Sequence, residues 1–492
     1  MIEQYLKGLK VPKDELTAIE RNKLLNEGKD VDRIMCCIDS GETLAPLIGC
    51  TLPEYYFSAE KMCELEEYIY NKFHSDGAGL STTLRGMAEA MGSKIKYSDY
   101  NIAQLETPAI SSLDEVDKLK LINVDEDGRL PIILKGLKMV KERLGDKVPV
   151  SGTVTGPFTV ASMLVGTENL LKGMVKQPDK VLQMMDIITE NNNRYIQRLL
   201  DMGVGVGFAD PVSSTSLLRV KQYEKFSLPF FQKNVDFIKS QGGGCGLHIC
   251  GTSRKLWELL IPTGIGTFGP DNVEDMAEAK EILGPYMCIQ GNVPPVEVMR
   301  LGTPYDVLRA SRESIRKAYD SPKGFVLTSG CQTPMFTPEE NMTALMDAAR
   351  IFGHYPINQD FLRMEDYSSI LLKFKICIIF RQESVINDMT AFIFKAIIVS
   401  VLTSLWKSHI EIKLSVIHLF CDCVFTVLTK QFQNLFLRAA MFSHQFNQFF
   451  DKFIFSGMLM HILTSLLRNM EAETIFFMCY SNFSKSCFHI FR

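Results

Sequence analysis

The sequence predicts an α/β fold: a (β/α)8 TIM barrel with an N-terminal helical extension and an atypical C-terminal tail. Two observations predict it. Short β-branched or glycine-rich runs alternate with amphipathic stretches through the first 360 residues, the pattern of parallel strands with covering helices. Roughly eight such units fit this length, as a closed barrel requires, with a doubly wound open sheet as the alternative. A composition of 46% hydrophobic and 22% charged residues is that of a chain able to bury a large core.

In chain order, the expected strands are 33–38, 77–83, 148–155, 204–209, 246–250, 265–268, 287–290 and 325–329. Helices are expected at 175–200, 218–240, 273–283 and 304–319 between them. A further helix is expected at 337–352, with Thr337 as N-cap, Pro338 at the first helical position, Glu340 three residues after the cap and Gly353 closing it. Met342, Leu345, Met346 and Ala349 recur on one face of that helix, which is therefore expected to pack on the barrel. The domain boundaries follow: 1–30 as a helical extension, 31–356 as the barrel and 357–492 as a separate tail.

The tail differs in composition. From Phe361 to Arg492 there is one glycine, Gly457, and no proline, yet 20 of the 32 phenylalanines and five of the eight histidines. Such a stretch suits a helical appendage, a membrane-associated region or a segment that is not natively folded. Its longest apolar run, 396–406, is shorter than the ~20 residues a membrane span needs. No function is assigned to it.

Charge and cysteine content exclude other classes. The formal charge is −4, so neither a nucleic-acid face nor a polybasic membrane anchor is expected. The N-terminal segment has no apolar h-region, hence no secretory signal is expected. Thirteen cysteines spread over the chain argue against a disulfide framework and for a reducing cytoplasm. Thiols in that compartment are free for metal binding or catalysis.

In a (β/α)8 barrel the chemistry sits at the carboxyl ends of the strands. Those ends carry Asp210, His248, Cys250, Asp271, Asn292 and Cys331. His248 and Cys250, in QGGGCGLHICG, are two apart on an extended segment and point to one side. Cys331, in LTSGCQTP, lies at another strand end over the same mouth. One imidazole and two thiolates would hold Zn²⁺ with an open fourth position, as in catalytic sites. Spacing alone equally admits two buried apolar thiols and a hydrogen-bonded core histidine. Cys245 is a nearby rival, but its odd offset places it on the opposite strand face from His248. Asp210 either adjusts the metal site as a catalytic group or caps the following helix. Asn292 and Asp271 either contact substrate or serve local turns. The glycines 203, 205 and 207 lie in a strand and are read as barrel packing rather than a dinucleotide fingerprint.

The segments HICG (248–251), GPDN (269–272), GNVPP (291–295) and TSGCQTPMFTPEEN (328–341), in this order, resemble the uroporphyrinogen decarboxylase superfamily. More narrowly they resemble its zinc-dependent branch, the methylcobamide:coenzyme M methyltransferases. VSGTVTGPFTVASML (150–164) and GFADPVSSTSLLRVKQYEKFSLPF (207–230) extend the resemblance upstream, so that it spans about residues 30–356. It implies the (β/α)8 barrel, and it implies His248, Cys250 and Cys331 as zinc ligands. The expected activity is transfer of a methyl group between a methylcobamide, carried on a corrinoid protein or free as methylcobalamin, and a small thiol such as coenzyme M. The methylcorrinoid would be a co-substrate. The alternative is a porphyrinogen decarboxylase. Those enzymes carry an RQAGR-like motif near the amino terminus, whereas DRIMCCIDSGETLAPLIGC (32–50) has only Arg33. A substrate with many carboxylates needs several guanidinium partners.

Overall fold

In the computed structural model, residues 11–363 are described; the expectations for the 357–492 tail fall almost wholly outside them. Ten strands occur among these residues: β1 (Met35–Cys36), β2 (Ala78–Ser81), β3 (Lys94–Lys96), β4 (Gln104–Thr107), β5 (Val150–Thr155), β6 (Gly205–Ala209), β7 (Cys245–Ile249), β8 (Thr267–Pro270), β9 (Cys288–Val293) and β10 (Phe325–Ser329). Eight of them form one sheet in the order β1-β10-β9-β8-β7-β6-β5-β2, and every pairing in it is parallel. With helices between the strands this is the (β/α)8 barrel. β3 and β4 form a separate antiparallel pair that the sequence pattern did not single out.

β1 and β2 share no ladder, and one residue closes the seam between them. The Asp76 N–H donates to the Cys36 carbonyl at 2.9 Å, while the Cys36 N–H donates to Asp76 Oδ2 at 2.8 Å. A side chain thus supplies the acceptor that a strand backbone would otherwise offer. That carboxylate is 2% exposed and also receives Arg21 Nη1 at 2.7 Å and Arg33 Nη1 at 2.5 Å. Arg21 belongs to the helix Ala18–Asn26, which a Thr17/Glu20 capping box starts, and it forks onto Asp32 at 2.6 and 2.7 Å. The N-terminal extension is therefore tied to the barrel by buried, fully paired charges. Arg33 is consumed in the same cluster: its Nε and Nη2 reach Asp14 at 2.6 and 2.9 Å.

Several helices differ from the sequence reading for local reasons. The single helix expected at 175–200 is two, Thr167–Lys176 and Pro178–Asp201, broken where Gln177 leaves helical geometry before Pro178. The one expected at 218–240 divides into Val220–Phe226 and Leu228–Ser240, again with a proline, Pro229, opening the second piece. The helix expected at 273–283 is Met276–Ile282, capped by Asp275, whose carboxylate accepts from the Ala277 and Glu278 N–H groups. Thr337 is not the N-cap of the last barrel helix. That helix runs Glu339–Phe352 with Pro338 at the cap, and the Thr337 hydroxyl donates to the Pro334 carbonyl instead. The expected packing face is buried: Met342, Leu345, Met346 and Ala349 are at most 1% exposed. The strand glycines serve packing, since a Cβ on Gly207 would come within 3.2 Å of Thr153 Oγ1. Among the described residues, no helix is long and apolar enough to cross a membrane.

Candidate metal centre at the barrel mouth

His248 lies on β7 and Cys250 just beyond its end, while Cys331 follows β10. The barrel brings the two segments together. His248 Nε2 is 3.1 Å from Cys250 Sγ, and Cys250 Sγ is 3.6 Å from Cys331 Sγ. All three candidate donor atoms lie within 4.8 Å of one another, the one such group of potential metal ligands among the described residues. Cys245 is apart from it, buried in the hydrophobic core.

The imidazole is oriented from behind. His248 Nδ1 is 2.8 Å from the Gly269 carbonyl oxygen; a carbonyl only accepts, so Nδ1 carries the proton and Nε2 turns its lone pair toward the sulfurs. A backbone partner of this kind is the usual support of a metal-binding histidine. The hydrogen bond from Cys250, then the neighbouring His248, hold the Cys331 thiol below its ordinary pKa against the cost of burial. That shared hydrogen bond and burial push Cys250 up. For His248, burial works to lower the pKa, but Cys331 and the Gly269 carbonyl raise it.

The donor set fits a zinc ion. Two sulfurs bound tetrahedrally at ~2.3 Å stand about 3.8 Å apart, close to the 3.6 Å between Cys250 and Cys331. Three protein donors leave one corner for a substrate atom.

The remaining candidates support this cluster rather than join it. Asp271 Oδ2 accepts the Gly251 N–H at 2.7 Å, and its Oδ1 accepts the Val273 N–H at 3.2 Å. Glu274, which the sequence reading passed over, accepts the N–H groups of Ser253 and Arg254. Asn292 Nδ2 donates to the carbonyls of Asp271 and Glu274 at 3.2 and 2.8 Å. β9 thus steadies the turn after β8, which in turn steadies the loop after Cys250. Asp210 is 2% exposed and fully engaged: Oδ1 accepts Thr159 N–H and Oγ1 at 2.9 and 2.6 Å, and Oδ2 accepts Ser213 Oγ at 2.7 Å. It caps the helix Pro157–Val165, the one after β5 and not the one after its own strand. Gly156 makes room for it, because a Cβ there would lie 2.3 Å from Asp210 Cβ. Burial pushes the Asp210 carboxyl up, against its Thr159 and Ser213 hydrogen bonds.

Two acidic residues at the mouth had no sequence signal beyond following β1. Asp39 is exposed, and its carboxyl is shifted upward by partial desolvation and then by Cys331, with His248 opposing. Glu42 is buried and receives Gln332 Nε2, next to Cys331, at 3.0 Å.

The imidazole and two thiols meet at the carboxyl-end mouth of the (β/α)8 barrel, where enzymes of this fold carry their active sites. The family model described as uroporphyrinogen decarboxylase (URO-D) matches residues 18–352, and the chain belongs to that family. It is 30% identical over 311 residues to a methylcobamide:CoM methyltransferase, MtbA, of Methanosarcina mazei, covering 62% of this chain and 88% of the relative. It is 28% identical over 332 residues to the methylcobamide:CoM methyltransferase MtaA of Methanosarcina barkeri, covering 65% and 94%. A uroporphyrinogen decarboxylase of Microcystis aeruginosa is 26% identical over 305 residues, covering 60% and 85%. Among solved structures, a methyltransferase from Methanosarcina mazei superposes with a TM-score of 0.62 at 25% identity, covering 68% of this chain and 98% of that one. The chain is an enzyme that transfers methyl groups.

Proposed function

We propose that this enzyme is a zinc-dependent corrinoid methyltransferase, moving a methyl group between a methylcobamide and a small thiol of the coenzyme M kind. The observation that carries the reading is the meeting of His248, Cys250 and Cys331 with all donor atoms within 4.8 Å. The names of the methyltransferase relatives supply the methylcobamide and the thiol.

In this reading His248, Cys250 and Cys331 would hold Zn²⁺, which would supply the Lewis acidity that lowers the pKa of a substrate thiol. The substrate thiolate attacks the methyl carbon of the methylcorrinoid. The new S–C bond forms as the C–Co bond breaks, and its electron pair stays on cobalt, taking Co(III) to Co(I). The chain's own part is positional. Gly269 fixes the His248 tautomer, Asp271 and Glu274 hold the loop that carries Cys250, and Asn292 fixes their turn. Asp210 we read as a positioning residue that sets the helix after β5 against the mouth. The co-substrate arrives as methylcobalamin or on a corrinoid protein. All cysteines among the described residues are free, which suits a reducing cytoplasm.

The decarboxylase reading is disfavoured by Arg33. The arginine in the segment where that activity needs guanidinium groups is 1% exposed and bound to Asp14 and Asp76, so it is not available to a substrate carboxylate. The deciding experiment supplies methylcobalamin and a panel of thiols to the zinc-loaded protein and follows cobalamin absorbance. Thiol-dependent demethylation supports the proposal. Decarboxylation of uroporphyrinogen by metal-free protein, with no demethylation, overturns it.

A further inference from the structure

The axis of this barrel is open below the metal centre. Strand residues alternate between the helices outside and the axis inside, and here the two sides differ. The outward set is apolar and buried: Val154, Val206, Phe208, Leu247, Phe268 and Ile289 are at most 5% exposed. A Cβ on Gly152 would lie 2.7 Å from Leu199 Cδ2, in the helix Pro178–Asp201, which fixes that side as the outer one. The inward set is small and reached by solvent. Thr153, Gly207, Gly246, Thr267 and Cys288 pair in one row across five strands, and all are half-buried. Ser151 and Gly205, at the amino ends of β5 and β6, are exposed. A barrel of this kind is ordinarily filled there by bulky branched side chains.

Two observations indicate that the space is kept for a guest. Gly246 is not imposed by its surroundings: a Cβ on it would meet nothing nearer than Thr267 Cβ at 3.4 Å. A glycine inside a strand weakens it, and it marks a place that a ligand approaches closely. Thr328 on β10 is 7% exposed, and its Oγ1 has no hydrogen-bond partner. The preceding Leu327 pairs with Cys36, whose Sγ is turned outward to the Leu345 carbonyl of the covering helix. Thr328 therefore faces the axis, with a buried hydroxyl that a guest could satisfy.

This space leads to the metal centre. His248 stands two residues above Gly246 on the same side of β7. From Gly205 to Ala209, the partner of His248, four residues span about 13 Å. Displacement at a methyl carbon is in line, so the attacking sulfur approaches from the side opposite cobalt. A corrin macrocycle is too wide to enter a barrel of eight strands, which places cobalt at the mouth and the thiol on the barrel side.

Resting on the methyl-transfer reading above, we propose that the small thiol reaches the metal centre along the barrel axis from the amino-end face, while the methylcobamide covers the mouth. The methylated product leaves by the same route, and the row at Gly246 limits the girth of the thiols that pass.

The test narrows the axis and reads access separately from turnover. Gly205→Leu places a branched side chain at the foot, where a Cβ meets nothing nearer than Ser151 Cβ at 3.5 Å. Methyl methanethiosulfonate, a slender thiol reagent, is applied to the zinc-loaded protein, and peptide mass spectrometry follows its reaction at Cys288. Burial pushes that thiol up to about 12, so rates are compared between variants at one pH. Wild type is expected to label at Cys288, and Gly205→Leu to label roughly 10-fold more slowly. In turnover the same variant is expected to raise the KM for 2-mercaptoethanol by a similar factor, with zinc content and the KM for methylcobalamin unchanged. Circular dichroism confirms folding; should Gly205→Leu not fold, Gly246→Val decides. No labelling of Cys288 in wild type, equal labelling in wild type and variant, or an unchanged thiol KM overturns the axial route. Labelling that the variant slows, with no demethylation by any thiol, sustains the open axis and instead overturns the methyl-transfer reading.

Discussion

Asp271 Oδ2 accepts the backbone N–H of Gly251 at 2.7 Å, joining the end of β8 to the residue after Cys250. The bond fixes a metal-ligand candidate through its neighbour's backbone, and it makes the loop after β7 depend on a side chain 20 residues away.

Removing that support is expected to loosen the site without unfolding the barrel. Asp271→Ala leaves the Gly251 N–H without its acceptor, and losses of metal affinity of about 10- to 100-fold are usual when such outer partners are deleted. Chelator competition on the purified variant measures this. Zinc affinity equal to wild type would show that the Cys250 loop holds its shape unaided.

The seam between β1 and β2 gives a stability prediction. Asp76 accepts from Arg21, Arg33 and the Cys36 N–H. Asp76→Ala leaves two buried guanidinium groups short of an anion, and breaking such a cluster costs about 3–5 kcal/mol. A denaturant midpoint within experimental error of wild type would mean that the seam closes by other contacts.

A pH dependence follows from Asp32. Burial opposes its ionisation, but Arg21 and the Leu16 and Glu15 N–H groups outweigh that and hold its carboxyl at about 2. The folded value lies below that of the unfolded chain, ~3.9. Ionised Asp32 therefore contributes stability that is fully present above about pH 4 and is lost as pH falls through about 2. The contribution is on the order of 2 kcal/mol. Denaturant melts of wild type and Asp32→Asn measured from pH 6 to pH 2 check the sign: the wild-type slope should flatten in the variant.

Gly156 tests the role of Asp210. The Cβ of Gly156→Ala would stand 2.3 Å from Asp210 Cβ, and crowding of this kind typically costs about 1–3 kcal/mol. The expected result is a lower melting temperature, with Asp210→Asn destabilising the same helix start. An unchanged melt for Gly156→Ala would show that the β5 loop can yield without cost.

The strands were legible because their β-branched and glycine-rich runs stand out against amphipathic helices; 325–329 coincides with β10, whereas the strand expected at 265–268 lies two residues further on, at Thr267–Pro270. The helix breaks at Gln177 and Ser227 were signalled by the prolines after them, but helical periodicity runs through both points and masked them. The β3–β4 pair escaped because 94–96 and 104–107 are short and mostly exposed, with no alternating apolar pattern to mark them. His248, Cys250 and Cys331 could be proposed together because their residue types are metal donors, but their approach depends on tertiary closure that spacing does not encode. Asp76 and Glu274 carried no signal at all: a single acid in a loop gains its role only from what the fold brings to it.

The central claim is that one imidazole and two sulfurs hold a zinc ion at the mouth. Elemental analysis of wild type, His248→Ala, Cys250→Ala and Cys331→Ala, purified in parallel and shown by circular dichroism to be folded, tests it most directly. The account predicts about one zinc per wild-type chain and its loss in each variant. A folded Cys331→Ala protein with full zinc content would contradict it.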